Sequence, residues 1–136
     1  MSPQDAKQVA AAAVQAIFND KDLSRVEEFF APDFIDHSAP EGAPQGPGGQ
    51  RAKVEAFIAA FPDLQINYLH QVAEGDLVAG HYVLTGTHLG DFAGIEPTNN
   101  TVSLEGHDLL RISGAQIVEH WTKMDSAELL QQLSQT

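Results

Sequence analysis

The sequence predicts a single α+β domain over residues 1–136, in which three N-terminal helices pack against a curved antiparallel sheet of four strands. Apolar residues recur at helical spacing in the first part of the chain and alternate with a period of two from Asp63 onward. Helices followed by a run of strands are typical of folds in which the helices cover one face of the sheet. A chain of 136 residues without an internal repeat is the size of one ordinary domain.

Three helices are predicted before the sheet. The alanine-rich residues 4–19 carry apolar side chains at helical spacing, and LSRVEEFF predicts a second, short helix that ends before Pro32. A third helix is expected from about Gly48 to Phe61, where the next residue is a proline. The segment between the second and third helices is rich in proline and glycine, so it is expected to be mostly loop, with a brief strand at FIDHS.

Four strands are predicted next, joined as a meander, and a short helix, DSAELLQQL, ends the chain. The tripeptide EGD predicts a tight turn between the first two strands, and Ser113 with Gly114 predicts one between the last two. The strands are LQINYLHQVA, LVAGHYVLTGTHLG, TVSLEGHDLLRIS and AQIVEHWTKM.

The last strand carries apolar residues on both faces. Alternation places Val118 and Met124 on one face, and Ile117 and Trp121 on the other. A solvated face would be polar, so we expect one face of the sheet to meet the helices and the other to meet a second copy of the chain. The pattern therefore predicts a homodimer or a higher homo-oligomer.

Composition narrows the classes of partner. Seven Lys and Arg against nineteen Asp and Glu give a formal net charge of −12, which would repel nucleic acid and anionic membrane surfaces. No cysteine is present, so disulfides and cysteine nucleophiles are excluded. No apolar run is long enough to cross a bilayer, and the N-terminal segment does not resemble a secretory signal, so a cytoplasmic location is expected.

The histidines do not predict a metal site, because none of the six forms a His-x-His pair or a pair four apart on a helix. His37 lies in the loop after FID, where it either bonds a neighbouring carbonyl or lines a pocket. His88 follows a strand between glycines that would allow a ligand to approach, which favours a pocket role.

The remaining histidines fall within predicted strands. His70, His81 and His120 are expected to be residues of a sheet face or an interface. His107 precedes Asp108, but alternation sends the two side chains to opposite faces, so adjacency does not make them a catalytic pair.

Asp125, at the junction of the last strand and the last helix, has two interpretations. In DSAELLQQL it is a good N-cap with Glu128 at the third helical position, a pattern that stabilises a helix by about 0.5–2 kcal/mol. It also lies near Trp121 and Met124, and a carboxylate in an apolar cavity has a pKa raised toward the range that is useful for proton transfer. Residue pattern alone leaves both roles open.

Four segments carry a resemblance to a known family: FIDHSAPEGAPQGPGG, AFPDL, AEGDLVAGHYVLTGTHLGDFAGIEPTN and LLRISGAQIVEHWTKMDSAELLQQL. With these segments the chain resembles, over most of its length, the SnoaL-like polyketide cyclases, which have the cone-shaped fold of the nuclear-transport-factor-two-like superfamily. The resemblance implies an enzyme that closes a ring of a hydrophobic small molecule by intramolecular aldol condensation, or performs a related isomerisation, without a metal or organic cofactor.

The resemblance also implies residue roles. Asp125 matches the aspartate that these cyclases carry after the final strand as an acid/base, while His88 and His37 match pocket histidines that would hydrogen-bond a substrate oxygen. Position and strand parity suggest Trp121, Tyr82 and Phe92 as apolar walls. His107, Arg111 and Glu119 are further candidate substrate contacts.

Two other functions remain compatible with the sequence. The same fold could bind a hydrophobic ligand without catalysis, in which case the pKa of Asp125 would be normal. It could also support epoxide hydrolysis or dehydration, for which Arg111 and Glu119 are the candidates to orient water.

Overall fold

The computed structural model describes residues 2–135 and confirms the α+β class. Helix α1 (Pro3–Ala13) continues into a π-helical segment at Val14–Asn19, and a 3₁₀ turn at Leu23–Arg25 precedes α2 (Val26–Phe29). The helices are α1 (Pro3–Ala13), α2 (Val26–Phe29), α3 (Gly46–Ala60) and α4 (Ser126–Leu133). The strands are β1 (Phe30–Asp36), β2 (Gln65–Glu74), β3 (Leu77–Thr87), β4 (Thr101–Ser113) and β5 (Gln116–Met124).

The sheet has five strands, not the four predicted, in the order β1-β5-β4-β3-β2. The predicted meander forms β2 to β5, and β1 is added parallel to β5 through Ile35 opposite Glu119 and Asp36 opposite His120. The FIDHS segment therefore belongs to a longer strand than expected, because the edge of β5 supplies backbone partners that lie far away in sequence.

The N-terminal helix begins at a capping box, in which Ser2 and Asp5 exchange hydrogen bonds between side chain and backbone. Its buried residues are alanines, so the helix packs closely against the concave face of the sheet. The second helix is shorter than predicted, since the chain turns into β1 at Phe30.

A β-bulge in β5 changes which of its residues share a face. Ile112 of β4 pairs with Ile117, but Arg111 pairs with Glu119, so Val118 is an extra residue in the ladder. Ile117 is consequently buried on the concave face, which it shares with the partly buried Met124. The prediction that Ile117 shares a face with Trp121 is wrong, because simple alternation does not hold across a bulge.

The C-terminal helix α4 packs against β4 and buries Leu129 and Leu133 beside Phe61 and Leu64. A second cluster of buried apolar residues joins α1, β1 and the other end of the sheet. The two clusters lie on either side of an internal cavity. Within residues 2–135, no helix is both long and apolar enough to span a membrane.

Candidate active site

A cavity of about 130 Å³ lies between the concave face of the sheet and helices α1 and α3. Most of its lining is aliphatic or aromatic, including Phe18, Phe57 and Leu84. Such an apolar enclosure disfavours charge on any titratable group it contains. Its polar lining residues are Gln50, Lys53, Tyr68, Tyr82, Asp108, His120 and Thr122.

Asp108 is the carboxylate of this cavity. It lies on the concave face of β4, where the neighbouring residues of the same parity, Leu104 and Leu110, are buried and apolar. The Tyr68 hydroxyl donates a hydrogen bond of 2.5 Å to Asp108 Oδ2. Asp108 Oδ1 is buried and has no hydrogen-bond partner among residues 2–135. Burial raises the pKa of Asp108, and the Tyr68 bond only partly opposes this effect.

Two strand glycines make room for these side chains. Gly80 lies opposite Asp108 in the ladder, and a Cβ there would be 2.2 Å from the Tyr68 ring and 2.5 Å from Asp108 Oδ1. Gly106 lies opposite Tyr82, and a Cβ there would be 2.5 Å from the Tyr82 hydroxyl oxygen. The missing Cβ atoms let polar groups lie flat on the sheet inside the cavity.

His120 reaches the same cavity from β5, on the diagonal from Asp108. Its buried Nδ1 is 3.6 Å from Asp36 Oδ1, which is too long for a hydrogen bond but close enough for electrostatic attraction. Lys53 Nζ donates to the other oxygen of Asp36 at 2.8 Å. Burial acts to raise the pKa of Asp36, but His120 and Lys53 outweigh it, so the pKa is lowered and the carboxylate is charged.

Tyr82 adds a hydroxyl to the cavity wall. It is 7% exposed, and its oxygen lies 3.1 Å from Thr122 Oγ1, which in turn donates to the carbonyl of His107 at 3.3 Å. Burial raises the pKa of Tyr82, so its phenol stays protonated at neutral pH. Of the predicted apolar wall residues, Tyr82 is the one that lines this cavity.

Asp125 lies outside the cavity lining, on the exposed surface where β5 meets α4. Its Oδ1 accepts a hydrogen bond of 3.0 Å from the backbone N–H of Glu128. The predicted helix cap is therefore confirmed. The arrangement gives Asp125 no apolar enclosure that would set it apart from an ordinary capping residue.

Neither His88 nor Phe92 lines the cavity. His88 is fully buried against Phe61, and its Nδ1 accepts from the backbone N–H of Thr98 at 3.2 Å. This bond holds the loop that follows β3. Phe92 packs on Phe61 and on the cavity residue Phe57.

The other predicted site residues lie on the convex face of the sheet. The His37 ring stacks on Trp121 at 4.5 Å, and its Nε2 lies 2.8 Å from Glu119 Oε2. Arg111 donates to Glu119 at 2.7 Å and to Asp76 at 2.8 Å. None of these four predicted residues lines the cavity that contains Asp108.

His107 also lies on the convex face, where its ring stacks on His81 at 4.9 Å. His81 Nδ1 is 3.1 Å from His70 Nδ1, and its Nε2 is 2.6 Å from Glu105. His70 and His81 are thus sheet-face residues, as predicted. His120 is also a sheet-face residue, but it lies on the concave face and points into the cavity.

Sequence reasoning missed Asp108, His120 and Tyr68, although one signal was present. In TVSLEGHDLLRIS the alternate residues Val102, Leu104, Leu110 and Ile112 are apolar and buried, and Asp108 has their parity. A charged residue on the apolar face of a strand requires a partner or a function.

The comparisons with known proteins agree with this architecture. The profile of the SnoaL-like polyketide cyclase family matches residues 8–133. The chain thus has the cone-shaped α+β fold of that group, and it belongs to the SnoaL-like polyketide cyclase family. A search of curated proteins gave no match.

Three solved structures illustrate the likeness. TsrD of Streptomyces laurentii shares 22% identity and the fold, with a TM-score of 0.89 over 98% of each chain. IdmH of Streptomyces antibioticus, a proposed polyketide cyclase, is 32% identical over 96% of this chain and 99% of its own, with a TM-score of 0.84. AclR of Streptomyces galilaeus, a proposed hydroxylase, is 32% identical over 97% of this chain and 82% of its own, with a TM-score of 0.84. Similar chains thus carry different proposed reactions, so the reaction must be argued from the site.

Proposed function

We propose that the protein is an acid/base enzyme that abstracts a proton from the carbon next to a carbonyl of a hydrophobic small molecule. The proposed reaction is an intramolecular aldol ring closure or a related isomerisation. The single observation that carries this proposal is the placement of Asp108, whose pKa is raised by burial and whose Oδ1 has no partner among the described residues of an apolar cavity. A carboxylate with a raised pKa is a stronger base than an exposed one, which is what proton abstraction from carbon requires.

The proposed reaction needs only the groups on the cavity wall. Asp108 Oδ1 takes the proton as the C–H bond breaks, and the electron pair of that bond forms an enolate. The enolate carbon attacks an electrophilic carbonyl of the same molecule, forming the new C–C bond. The resulting alkoxide recovers the proton from Asp108, so the enzyme ends as it began.

Neighbouring groups support each stage. Tyr68 fixes the orientation of the Asp108 carboxyl through the bond at 2.5 Å. His120 and Tyr82 line the same cavity and can hydrogen-bond the developing enolate oxygen. The surrounding apolar side chains exclude water that would otherwise protonate the enolate. In this proposal Asp108 takes the acid/base role that the resemblance implies for Asp125. His120 and Tyr82 take the hydrogen-bonding roles implied for His88 and His37.

Exchange of carbon-bound protons for deuterium tests the proposal without the natural substrate. With 2-tetralone as the probe in D₂O, the protein should accelerate exchange next to the carbonyl, as followed by ¹H NMR. Asp108→Asn keeps the shape of the side chain and removes the base, so the protein-dependent rate should fall by about 10²-fold or more. An unchanged rate in this variant would refute Asp108 as the base. No acceleration of exchange by the wild-type protein would favour a binding protein of the same fold.

We also propose that the chain forms a homodimer through the convex face. This face carries exposed or half-buried apolar residues, among them Val72, which is 65% exposed, and the cross-strand pair Leu109 and Trp121. The stacked rings of His70, His81 and His107 and the His37–Glu119 contact lie among them and supply polar groups for an interface. Burying this mixed surface against a second copy would remove the apolar exposure.

A further inference from the structure

A second cavity, of about 340 Å³, adjoins the first one beneath the proline-rich loop between β1 and α3. The two cavities share the lining residues Gln50, Lys53 and Thr122. These three side chains therefore form the partition between the cavity that holds Asp108 and the space under the loop.

The volumes limit what each cavity can hold. An apolar cavity of about 150 Å³ is known to accommodate one benzene ring, so the first cavity, of about 130 Å³, has room for about one ring. Ligands of several rings occupy sites of about 300–1,000 Å³. A multi-ring molecule with its reacting carbon at Asp108 therefore exceeds the first cavity, and the second cavity adjoins it across Gln50, Lys53 and Thr122.

The side-chain oxygen of Gln50 lies on this partition without a partner among residues 2–135. Gln50 is 4% exposed, and its buried Oε1 has no hydrogen bond to any of residues 2–135. A buried polar group in this condition lowers stability unless something else satisfies it, so it needs an explanation. Gln45, which also lines the second cavity, differs: it bonds the backbone N–H and carbonyl of Asp36 at 2.8 and 3.2 Å.

The charges at the partition balance each other. Lys53 Nζ is 2.8 Å from the charged Asp36, so neither side chain presents an uncompensated charge to a ligand. The chain as a whole carries −12, which disfavours anionic ligands at long range. The amide of Gln50 can accept from a hydroxyl and donate to a carbonyl, and both are neutral groups.

We propose that Gln50 is a substrate-recognition residue and that the substrate is a neutral ketone of two or more rings with a hydroxyl group remote from the reacting carbonyl. The ketone end occupies the cavity at Asp108, and the hydroxyl-bearing end passes the partition and bonds the Gln50 amide. This assignment rests on the proposed function, because that function places the reacting carbonyl at Asp108.

Calorimetric binding of two matched probes tests the assignment. The probes are 6-acetyl-2-naphthol and 2-acetylnaphthalene, which differ only in the remote hydroxyl. The wild-type protein should bind the naphthol about fivefold to tenfold more tightly, the effect of one net hydrogen bond. In Gln50→Met the ratio of the two dissociation constants should fall to about one.

Thermal unfolding separates recognition from a structural role. Gln50→Met should leave Tm unchanged or raise it by a few degrees, because it removes an unsatisfied buried amide. Gln45→Met is the matched control and should lower Tm, because its amide holds the backbone of Asp36. Ala52→Phe, which narrows only the second cavity, should weaken both naphthyl probes and leave acetophenone binding unchanged.

Three results would overturn the proposal: no binding of the naphthol by the wild-type protein, an unchanged probe ratio in Gln50→Met, or a loss of Tm in that variant as large as in Gln45→Met. The outcome is independent of the proposed reaction. Asp108→Asn should retain the probe ratio even if Asp108 proves not to be the base.

Discussion

Replacing Tyr68 with Phe should raise the pKa of Asp108 further. Tyr68 donates a bond of 2.5 Å to Asp108 Oδ2, and such a donor stabilises the charged carboxylate. A hydrogen bond to a charged group contributes about 1.5–3 kcal/mol, so its loss should disfavour the Asp108 carboxylate by about that amount and raise the pKa. The variant keeps the aromatic ring, so the packing against Gly80 is preserved.

The measurement is a pH titration of the Asp108 side-chain carboxyl by ¹³C NMR, with the signal assigned by its absence in Asp108→Asn. Tyr82→Phe is the control, since the Tyr82 hydroxyl contacts Thr122 and not Asp108. It should shift the titration much less than Tyr68→Phe. A pKa that falls or stays the same in Tyr68→Phe would show that the Tyr68 hydroxyl does not stabilise the Asp108 carboxylate, and the site would have to be revised.

Three further predictions concern stability and assembly. Gly80→Ala should destabilise the protein by about 1–3 kcal/mol in urea unfolding, because the added Cβ would overlap the Tyr68 ring. Gly48→Ala is the control and should be neutral or stabilising, because the space around Gly48 is open. Equal effects of the two substitutions would contradict the close packing at Gly80. The raised pKa of Asp108 means that the folded state binds the carboxyl proton more tightly than the unfolded state, so wild-type stability is lost as pH rises from the unfolded pKa through the folded one. Asp108→Asn should therefore gain stability relative to wild type over that pH range. A difference in stability that stays constant with pH would argue against the raised pKa. Wild-type protein should sediment as a dimer and Leu109→Asp as a monomer, and a monomeric wild type at micromolar concentration would refute the convex interface.

The sequence predicted the elements whose patterns are local. Helical spacing in residues 4–19 and alternation in the four later strands gave their positions to within a few residues. The length of β1 and its place in the sheet were not predicted, because its pairing joins Ile35 to Glu119 and no local pattern encodes such a long-range contact. The bulge at Val118 was missed for the same reason, since it is defined by the partner strand.

The candidate site was harder to predict than the fold. Asp125 stood out because it occupies a junction and caps a helix. The amides and dipole of a helix N-terminus favour the charged carboxylate, whereas a raised pKa needs burial that disfavours it. Asp108 could have been found from its parity with Leu104 and Leu110. Its partner Tyr68 could not, because a bulge in β2 and the absent Cβ of Gly80 together place that ring beside the carboxylate.

The central claim is that the proton-transferring carboxylate is Asp108 and not Asp125. Comparing Asp108→Asn with Asp125→Asn in the deuterium exchange of 2-tetralone tests it most directly, because Asn removes the base in both and caps a helix about as well as Asp. Asp108→Asn should lose at least about 10²-fold of the protein-dependent exchange rate, and Asp125→Asn should keep the wild-type rate within about twofold. Loss of exchange in Asp125→Asn with retention in Asp108→Asn would contradict the account.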